Sequence, residues 1–334
     1  SGILMDINTG EIISMVSLPD FNPNQPVEDI QSQEKYFNKN TLGVYEFGSV
    51  MKTFTAAIGL EEKIFNLNSE YPVFKRIKVG ENYVEDVHTP CNESKCSVKD
   101  IFVHSSNVGT IQMIRDIGSN LQQIYLDRLG LLNKISLNLP ELGIPKQPDP
   151  WRKVNTDSIS YGYGLSISPL HLTIATASVL NGGYLVAPSL EKIQTHSPNE
   201  KDRIFSKKTS DEMKFLFKQV VLDGSAKEAF KKSPNKSIVG GKTGTARTYK
   251  NGNYNKDHKL TSFISAFPIH EPKYVLLTVI DRPRGVEEDF YWTYAGYNAA
   301  KVNKQIIDRI GPILAINNKY ELNNNNLLIN TSLQ

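Results

Sequence analysis

Ser49-Val50-Met51-Lys52, Ser105-Ser106-Asn107 and Lys242-Thr243-Gly244, with Thr245 directly after, occur in that order along a chain of 334 residues. They supply a hydroxyl, an amine three positions behind it, a second hydroxyl with a carboxamide, and a second amine followed by more hydroxyls. This set suits acyl transfer through a serine ester without a catalytic histidine. A serine hydroxyl is a poor nucleophile at neutral pH, so a base must take its proton. The histidines His88, His104, His171, His196, His258 and His270 give a histidine base little support, because the sequence has no Gly-x-Ser-x-Gly elbow. Surface or packing roles suit them better.

Lys52 offers the alternative base. On a helix starting at Ser49, a residue three positions later lies on the same face, one turn away, within reach of the hydroxyl. The amine must be neutral to accept a proton. Moving a lysine from about 10.4 to about 7 requires some 4 to 5 kcal/mol of bias against its charged form. Burial, the positive helix N-terminus and a second cation, Lys242, all act in that direction. Ser105 would relay a proton between Lys52 and a leaving amine, and Asn107 would hold the substrate amide and the lysine. On the strand, the Lys242 ammonium and the Thr243 and Thr245 hydroxyls would receive a carboxylate. Gly244 would let the substrate lie along the edge as an added strand. The backbone N–H groups of Ser49 and Thr245 would form an oxyanion hole, in which each donor is worth roughly 3 to 4 kcal/mol. Taken singly, each residue also has a bland reading: Ser49 as a helix N-cap, Lys52 as a solvated helix lysine, and Ser105 and Asn107 as capping or turn residues.

Each short motif is weak alone. S-x-x-K recurs at Ser32/Lys35, Ser189/Lys192 and Ser233/Lys236, and S-x-N at Ser136/Asn138, Ser197/Asn199 and Ser233/Asn235. Context separates Ser49: the Gly48 turn precedes it, and the apolar-rich stretch Met51 to Leu60 follows with helical character. Lys242-Thr243-Gly244 is the only K-T-G in the chain and ends the run Ile238-Val239-Gly240-Gly241, which reads as a strand whose glycines admit close approach to the backbone.

The elements that must position these groups come from both ends of the chain. Residues 3 to 17 read as a hairpin around Asn8-Thr9-Gly10, and Ile238–Ala246, Thr261–Phe267 and Tyr274–Asp281 read as consecutive antiparallel strands. Helices fill the middle: Val98–His104 capped by Ser97, Val108–Ile117 ended by Gly118, and a helix with Ser168 as N-cap, Pro169 in its first turn and Asn181-Gly182-Gly183 as its stop. A last helix, about Asn298 to Leu314, would pack Val302, Ile306, Ile310 and Ile313 on the sheet. The fold class is therefore α+β: an antiparallel sheet flanked by helices, with an all-helical part at about 45–235 and sheet segments from 1–20 and 236–315. The segment Pro140–Trp151 reads as a surface connection. The Asn-rich stretch 316–334 has little to bury and reads as a frayed tail.

Bulk properties narrow the function. The 39% hydrophobic content supports one large core, and the net charge of +3, spread along the chain, offers no stripe for nucleic acid. No apolar run reaches membrane-spanning length. The chain opens abruptly in a strand, which suggests a domain excised from a longer protein, with any anchor upstream. Cys91 and Cys96 lie near Asp86 and His88; two ordinary thiols, a disulfide and a weak metal site all remain open, although the spacing fits no standard zinc pattern.

Beyond the motifs, the sequence resembles the transpeptidase domain of class B penicillin-binding proteins, most closely the cell-division, septal type, up to about residue 315. The resemblance rests also on Met5-Asp6-Ile7-Asn8-Thr9-Gly10-Glu11-Ile12, Ser17-Leu18-Pro19-Asp20-Phe21-Asn22-Pro23-Asn24, Asp86-Val87-His88, His104 to Thr110 and Tyr161 to Leu170. It implies the penicillin-binding and serine β-lactamase-like fold, no cofactor, and Ser49 as the acylated nucleophile of a peptidoglycan D,D-transpeptidase. The acyl donor would be a stem pentapeptide, the acceptor the amine of a neighbouring strand, and β-lactams would acylate the same serine. It further implies a periplasmic domain on an inner-membrane anchor that this chain lacks, and divisome partners including a glycosyltransferase.

Two positions depart from that family's pattern: Phe47 stands where many members have proline, and Lys301 where an Ala-Ala-Pro run is common. Neither removes a catalytic group, and both bear on the shape of the pocket mouth. A serine β-lactamase of class A would need an E-x-x-L-N loop between the second and third motifs, and none occurs between Asn107 and Lys242. A covalent β-lactam sensor domain is the other alternative.

Overall fold

A computed structural model describes residues 1–25, 34–87, 90–91, 94–193, 198–250, 253–285, 287 and 292–314. The tail expected over 316–334 lies outside them. In chain order the elements begin with strands β1 (Gly2–Asp6) and β2 (Ile12–Val16), then helix α1 (Lys52–Glu61) and strands β3 (Glu70–Pro72), β4 (Arg76–Val79), β5 (Asn82–Glu85) and β6 (Lys95–Ser97). Helices α2 (Val98–Val103), α3 (Asn107–Ile117), α4 (Ser119–Arg128), α5 (Lys153–Ser160), α6 (Pro169–Leu180), α7 (Lys207–Leu222) and α8 (Lys227–Phe230) follow. Strands β7 (Gly240–Lys250), β8 (Asn253–Phe267) and β9 (Tyr274–Asp281) and helix α9 (Ala299–Ile310) complete the set.

The two ends of the chain meet in one antiparallel sheet of order β2-β1-β9-β8-β7, with Ile3 opposite Leu277 and Thr243 opposite Phe263. The β1–β2 hairpin forms as expected, its turn held by Asp6 Oδ1, which accepts from the backbone N–H groups of Asn8 and Thr9 at 2.9 Å each. β7, which carries Lys242-Thr243-Gly244, is an edge strand. The β7–β8 hairpin runs further than the apolar pattern suggests, pairing out to Lys250 and Asn253 on either side of Asn251-Gly252, a dipeptide with hairpin-turn chemistry.

Helix α9 covers one face of the sheet through polar anchors. Ser265 Oγ donates to Asn303 Oδ1 at 2.7 Å, and Asn303 Nδ2 donates to the carbonyls of Phe263 and Leu276 at 3.3 and 3.1 Å. The face expected for this helix is therefore corrected: Ala299, Ala300, Asn303 and Ile307 are buried, Ile306 and Ile310 flank them, and Val302 and Ile313 are 39% and 80% exposed. Small alanines bring the helix close enough for the Asn303 carboxamide to satisfy sheet groups, and that outweighs the aliphatic stripe. On the opposite face α6 is buried along its whole length, not on one side only, because sheet and helices enclose it. Its Ser168 cap accepts from the His171 N–H, and the His171 ring bridges Ser168 and the Asn133 carbonyl, a packing role. The helical part also carries two ribbons, β3–β6 and β4–β5, and β5 leads straight to the site.

Candidate active site

Residues Gly48–Met51 form a 3₁₀ turn that runs into α1, closed by the Lys52 N–H donating to the Ser49 carbonyl. In a 3₁₀ turn, positions three apart eclipse, which places Ser49 and Lys52 in line at the head of the helix. Ser49 does not cap the helix: residue 47 holds the N-cap position and makes no side-chain cap bond. Among the described residues the half-buried Ser49 hydroxyl has no hydrogen bond.

Backbone contact brings this turn against β7. Gly48 has φ +54°, and a Cβ there would collide with the Thr245 carbonyl. A Cβ at Gly244 would collide with the Phe47 carbonyl and lie 2.6 Å from Ser262 Oγ and 2.7 Å from Val50 Cγ2. Gly244 was expected to clear space for a substrate; its missing side chain instead admits the turn bearing Ser49.

The corner between α2 and α3 supplies the second motif. The Ser106 N–H donates to the Ile101 carbonyl at 2.9 Å and the Ser105 N–H to the Phe102 carbonyl at 3.2 Å, a Schellman end for α2. Its left-handed position is filled by Ser105 at φ +64°, where glycine is the unstrained choice. Ser106 then caps α3, accepting from the Gly109 N–H at 2.9 Å. The middle residue of the motif is thus spent on the helix, and the two outer ones face the lysines.

Lys52, 1% exposed, donates to the Ser105 carbonyl at 2.6 Å and to Asn107 Oδ1 at 2.7 Å, with Ser105 Oγ at 3.3 Å. Burial pulls its amine from the ordinary lysine range down to about 7, while the Asp86 carboxylate pushes the other way. Lys242 is fully buried, donates to Ser105 Oγ at 2.8 Å and lies 5.4 Å from the centre of the Phe102 ring. Burial, then the neighbouring Lys52, hold its amine well below the usual range. A neutral amine has two N–H donors and one lone pair. The two short bonds of Lys52 use both donors, which leaves the lone pair for an incoming O–H proton.

The strand hydroxyls are placed with it. Thr243, 7% exposed, shares a 2.6 Å hydrogen bond with Ser225, and Thr245 Oγ1 accepts from the Ala295 N–H at 3.1 Å. All the residues singled out from the motifs therefore lie on three touching walls: the 3₁₀ turn, the α2–α3 corner and β7. The rival Ser233 and Asn235 are engaged elsewhere, both donating to Asp308 on α9.

The metal grouping is not assembled. Cys91 and Cys96 form a disulfide with Cα atoms 5.9 Å apart, which removes both thiolates. Asp86 is engaged with the head of α3, where Oδ2 accepts from Ser106 Oγ at 2.6 Å and Oδ1 from the N–H groups of Asn107 and Val108. His88 lies outside the described residues. Reading from motifs missed this use of Asp86 and also missed Ser225 and Glu46. Glu46 Oε1 accepts from the Gly164 N–H at 2.6 Å and the Tyr254 hydroxyl at 2.9 Å, joining the β7–β8 hairpin and the 161–164 segment to the turn that bears Ser49. Their only sequence signal is position next to a motif or a turn.

Comparison with known proteins gives the family. Residues 1–308 match the family described as the penicillin binding protein transpeptidase domain. The chain belongs to that family. A similar sequence is the probable peptidoglycan D,D-transpeptidase FtsI of Caulobacter vibrioides, 32% identical over 96% of this chain and 55% of the relative. The chain thus spans about half the length of the relatives it matches. Similar folds include penicillin-binding protein 3 of Mycobacterium tuberculosis complexed with ampicillin, with TM-score 0.80 and 23% identity over 93% of this chain and 72% of that one. The transpeptidase domain of penicillin-binding protein 3 from Burkholderia pseudomallei gives TM-score 0.78 and 23% identity over 93% and 87%. The resemblance to class B, division-type members and the α+β fold class are both borne out.

Proposed function

We propose that this chain is the catalytic unit, residues 1–315, of a septal peptidoglycan D,D-transpeptidase working through an acyl-serine. The observation that carries the reading is the Ser105 hydroxyl held between two buried lysine amines, 2.8 Å from Lys242 and 3.3 Å from Lys52. The stem pentapeptide of peptidoglycan lies along the β7 edge. Its terminal carboxylate meets Lys242, Thr243 and Thr245, and Asn107 holds its amide. The Lys52 lone pair takes the Ser49 proton as Ser49 Oγ bonds to the penultimate D-alanine carbonyl carbon, and the N–H groups of Ser49 and Thr245 receive the oxyanion. First-turn amides such as that of Ser49 lack partners within the helix, which fits this use. The proton then passes from Lys52 through Ser105 to the leaving nitrogen, the C–N bond breaks, and D-alanine departs. An amine of the neighbouring acceptor strand attacks the ester, a new amide forms, and Ser49 regains its proton.

A β-lactam carries a carboxylate and a strained amide in the same relation and would acylate Ser49. The fold likeness to a penicillin-binding protein holding ampicillin supports this. Among the described residues no helix is long and apolar enough to cross a membrane. The activity would be periplasmic, on a protein held at the inner membrane. Divisome proteins, a glycosyltransferase among them, would be its partners. The test supplies a D-alanyl thioester donor with and without a D-amino acid acceptor. The reading expects acyl transfer to the acceptor and slow turnover of a chromogenic cephalosporin. Rapid cephalosporin hydrolysis without transfer would assign the site to a β-lactamase, and stable acylation without any transfer to a sensor domain.

A further inference from the structure

We infer that Ser225 is a positioning residue for the substrate carboxylate, orienting the Thr243 hydroxyl and giving the site its preference for an acyl donor that ends in a carboxylate. The inference rests on the transpeptidase reading above. Ser225 lies in the turn between α7 and α8, far in sequence from all three motifs, yet its hydroxyl is 2.6 Å from that of Thr243.

The turn is fixed on two sides. Its Ser225 N–H donates to the Val103 carbonyl at 3.3 Å, at the end of the helix that leads to Ser105. On the other side a Cβ at Gly296 would stand 2.5 Å from the Ser225 carbonyl, so the 3₁₀ turn Ala295–Tyr297 packs directly on it. That second turn also donates the Ala295 N–H to Thr245 Oγ1. One residue therefore touches the walls that bear Ser105, Thr243 and Thr245.

Proton counting gives the role. Two adjacent hydroxyls share one proton between them and keep one to donate. Thr243 is buried while Ser225 is exposed, so the pair is a short chain from solvent into the site. When Ser225 donates to Thr243, the Thr243 proton is free to point at an anion. Thr245 already accepts from Ala295, so its proton is free as well, and the same strand offers two hydroxyl donors. Without the Ser225 hydroxyl, Thr243 turns its proton to the nearest protein acceptor and one charge-assisted bond to the carboxylate is lost.

The test compares acylation by benzylpenicillin with acylation by its methyl ester, followed by intact mass, in the unaltered protein, Ser225→Ala and Ser225→Thr. Ser225→Ala should slow the acid roughly tenfold, the worth of one hydrogen bond to a charged group, and leave the ester rate and the melting temperature in place. Ser225→Thr should restore the acid rate. Equal slowing of acid and ester would mean a structural role and overturn the inference, as would an unchanged acid rate in Ser225→Ala. Failure of the unaltered protein to acylate with either compound would instead sink the transpeptidase reading, and this inference with it.

Discussion

Lys242 Nζ and Lys52 Nζ converge on a single hydroxyl, that of Ser105, at 2.8 and 3.3 Å. Both amines are buried, and like charges at this separation in a medium of low polarity disfavour simultaneous protonation. Burial lowers the Lys52 amine, and burial together with the neighbouring Lys52 lowers that of Lys242.

The rate of acylation should therefore follow the titration of Lys52. We expect the second-order rate with a penicillin to rise with pH through about 7, as the amine loses its proton. Lys242 on β7 shares the Ser105 hydroxyl with this amine, and the Asp86 carboxylate at the end of β5 favours its charged form. Asp86→Asn keeps an oxygen for the Asn107 and Val108 N–H groups but removes the charge, so it should move the rise to lower pH. A rise that stays in place, or moves upward, would separate Asp86 from the electrostatics of Lys52.

Stability should carry the opposite mark of the same burial. The native amine titrates at about 7 and the unfolded one at about 10.4, so across that window the unfolded chain binds more protons and stability rises with pH. At pH 7 and below the full penalty of the buried charge is present. Lys52→Met should thus stabilise the fold at pH 6.5 by roughly 1 to 3 kcal/mol while abolishing acylation, with the advantage shrinking toward pH 10. Denaturant melts at the two pH values test it, and a destabilised variant at pH 6.5 would contradict the burial account.

Ser105 should show a trade of stability for chemistry. Its φ of +64° is unfavourable for a residue with a side chain, and Ser105→Gly removes that strain at the α2–α3 corner. We expect a gain of about 1 kcal/mol in unfolding free energy, with acylation slower by about 10²-fold or more because the relay hydroxyl is gone. A variant that is both less stable and fully active would refute both halves.

Much of this arrangement is legible in the sequence, and the reason is locality. The Ser49 to Lys52 spacing, the K-T-G strand, the Ser168-Pro169 start of α6 and the Asn8-Thr9-Gly10 turn are set by neighbours in sequence, where capping, turn chemistry and periodicity apply. What escaped was decided across the chain. The Asp86 carboxylate reads alone as a loop acid or a metal ligand, and only the return of β5 to the head of α3 gives it three N–H and O–H donors. Ser225 reads as a turn serine until α7 docks beside β7. The outer stripe of α9 reads as a core face on its aliphatic residues alone, and the hydrogen-bonding capacity of Asn303 turns the helix the other way. Gly244 reads as room for a substrate along the edge, and sequence cannot say that the Phe47 carbonyl stands against it.

That last point has its own test. A methyl group at position 244 meets the Phe47 carbonyl, with Ser262 Oγ at 2.6 Å and Val50 Cγ2 at 2.7 Å. Gly244→Ala should push the 3₁₀ turn off β7, lowering stability by about 1 to 3 kcal/mol and slowing acylation even by compounds too small to contact the strand beyond Thr245. Normal acylation by a small β-lactam, with loss confined to long peptide donors, would return Gly244 to the role of clearing a path for substrate.

The identity of the nucleophile is tested most directly by the intact mass of the protein after exposure to benzylpenicillin, with Ser49→Ala alongside. The account predicts a single persistent adduct of the mass of the whole antibiotic, mapping to the peptide that holds Ser49 and absent from the variant. An adduct that survives in Ser49→Ala, or that maps to another residue, would contradict it.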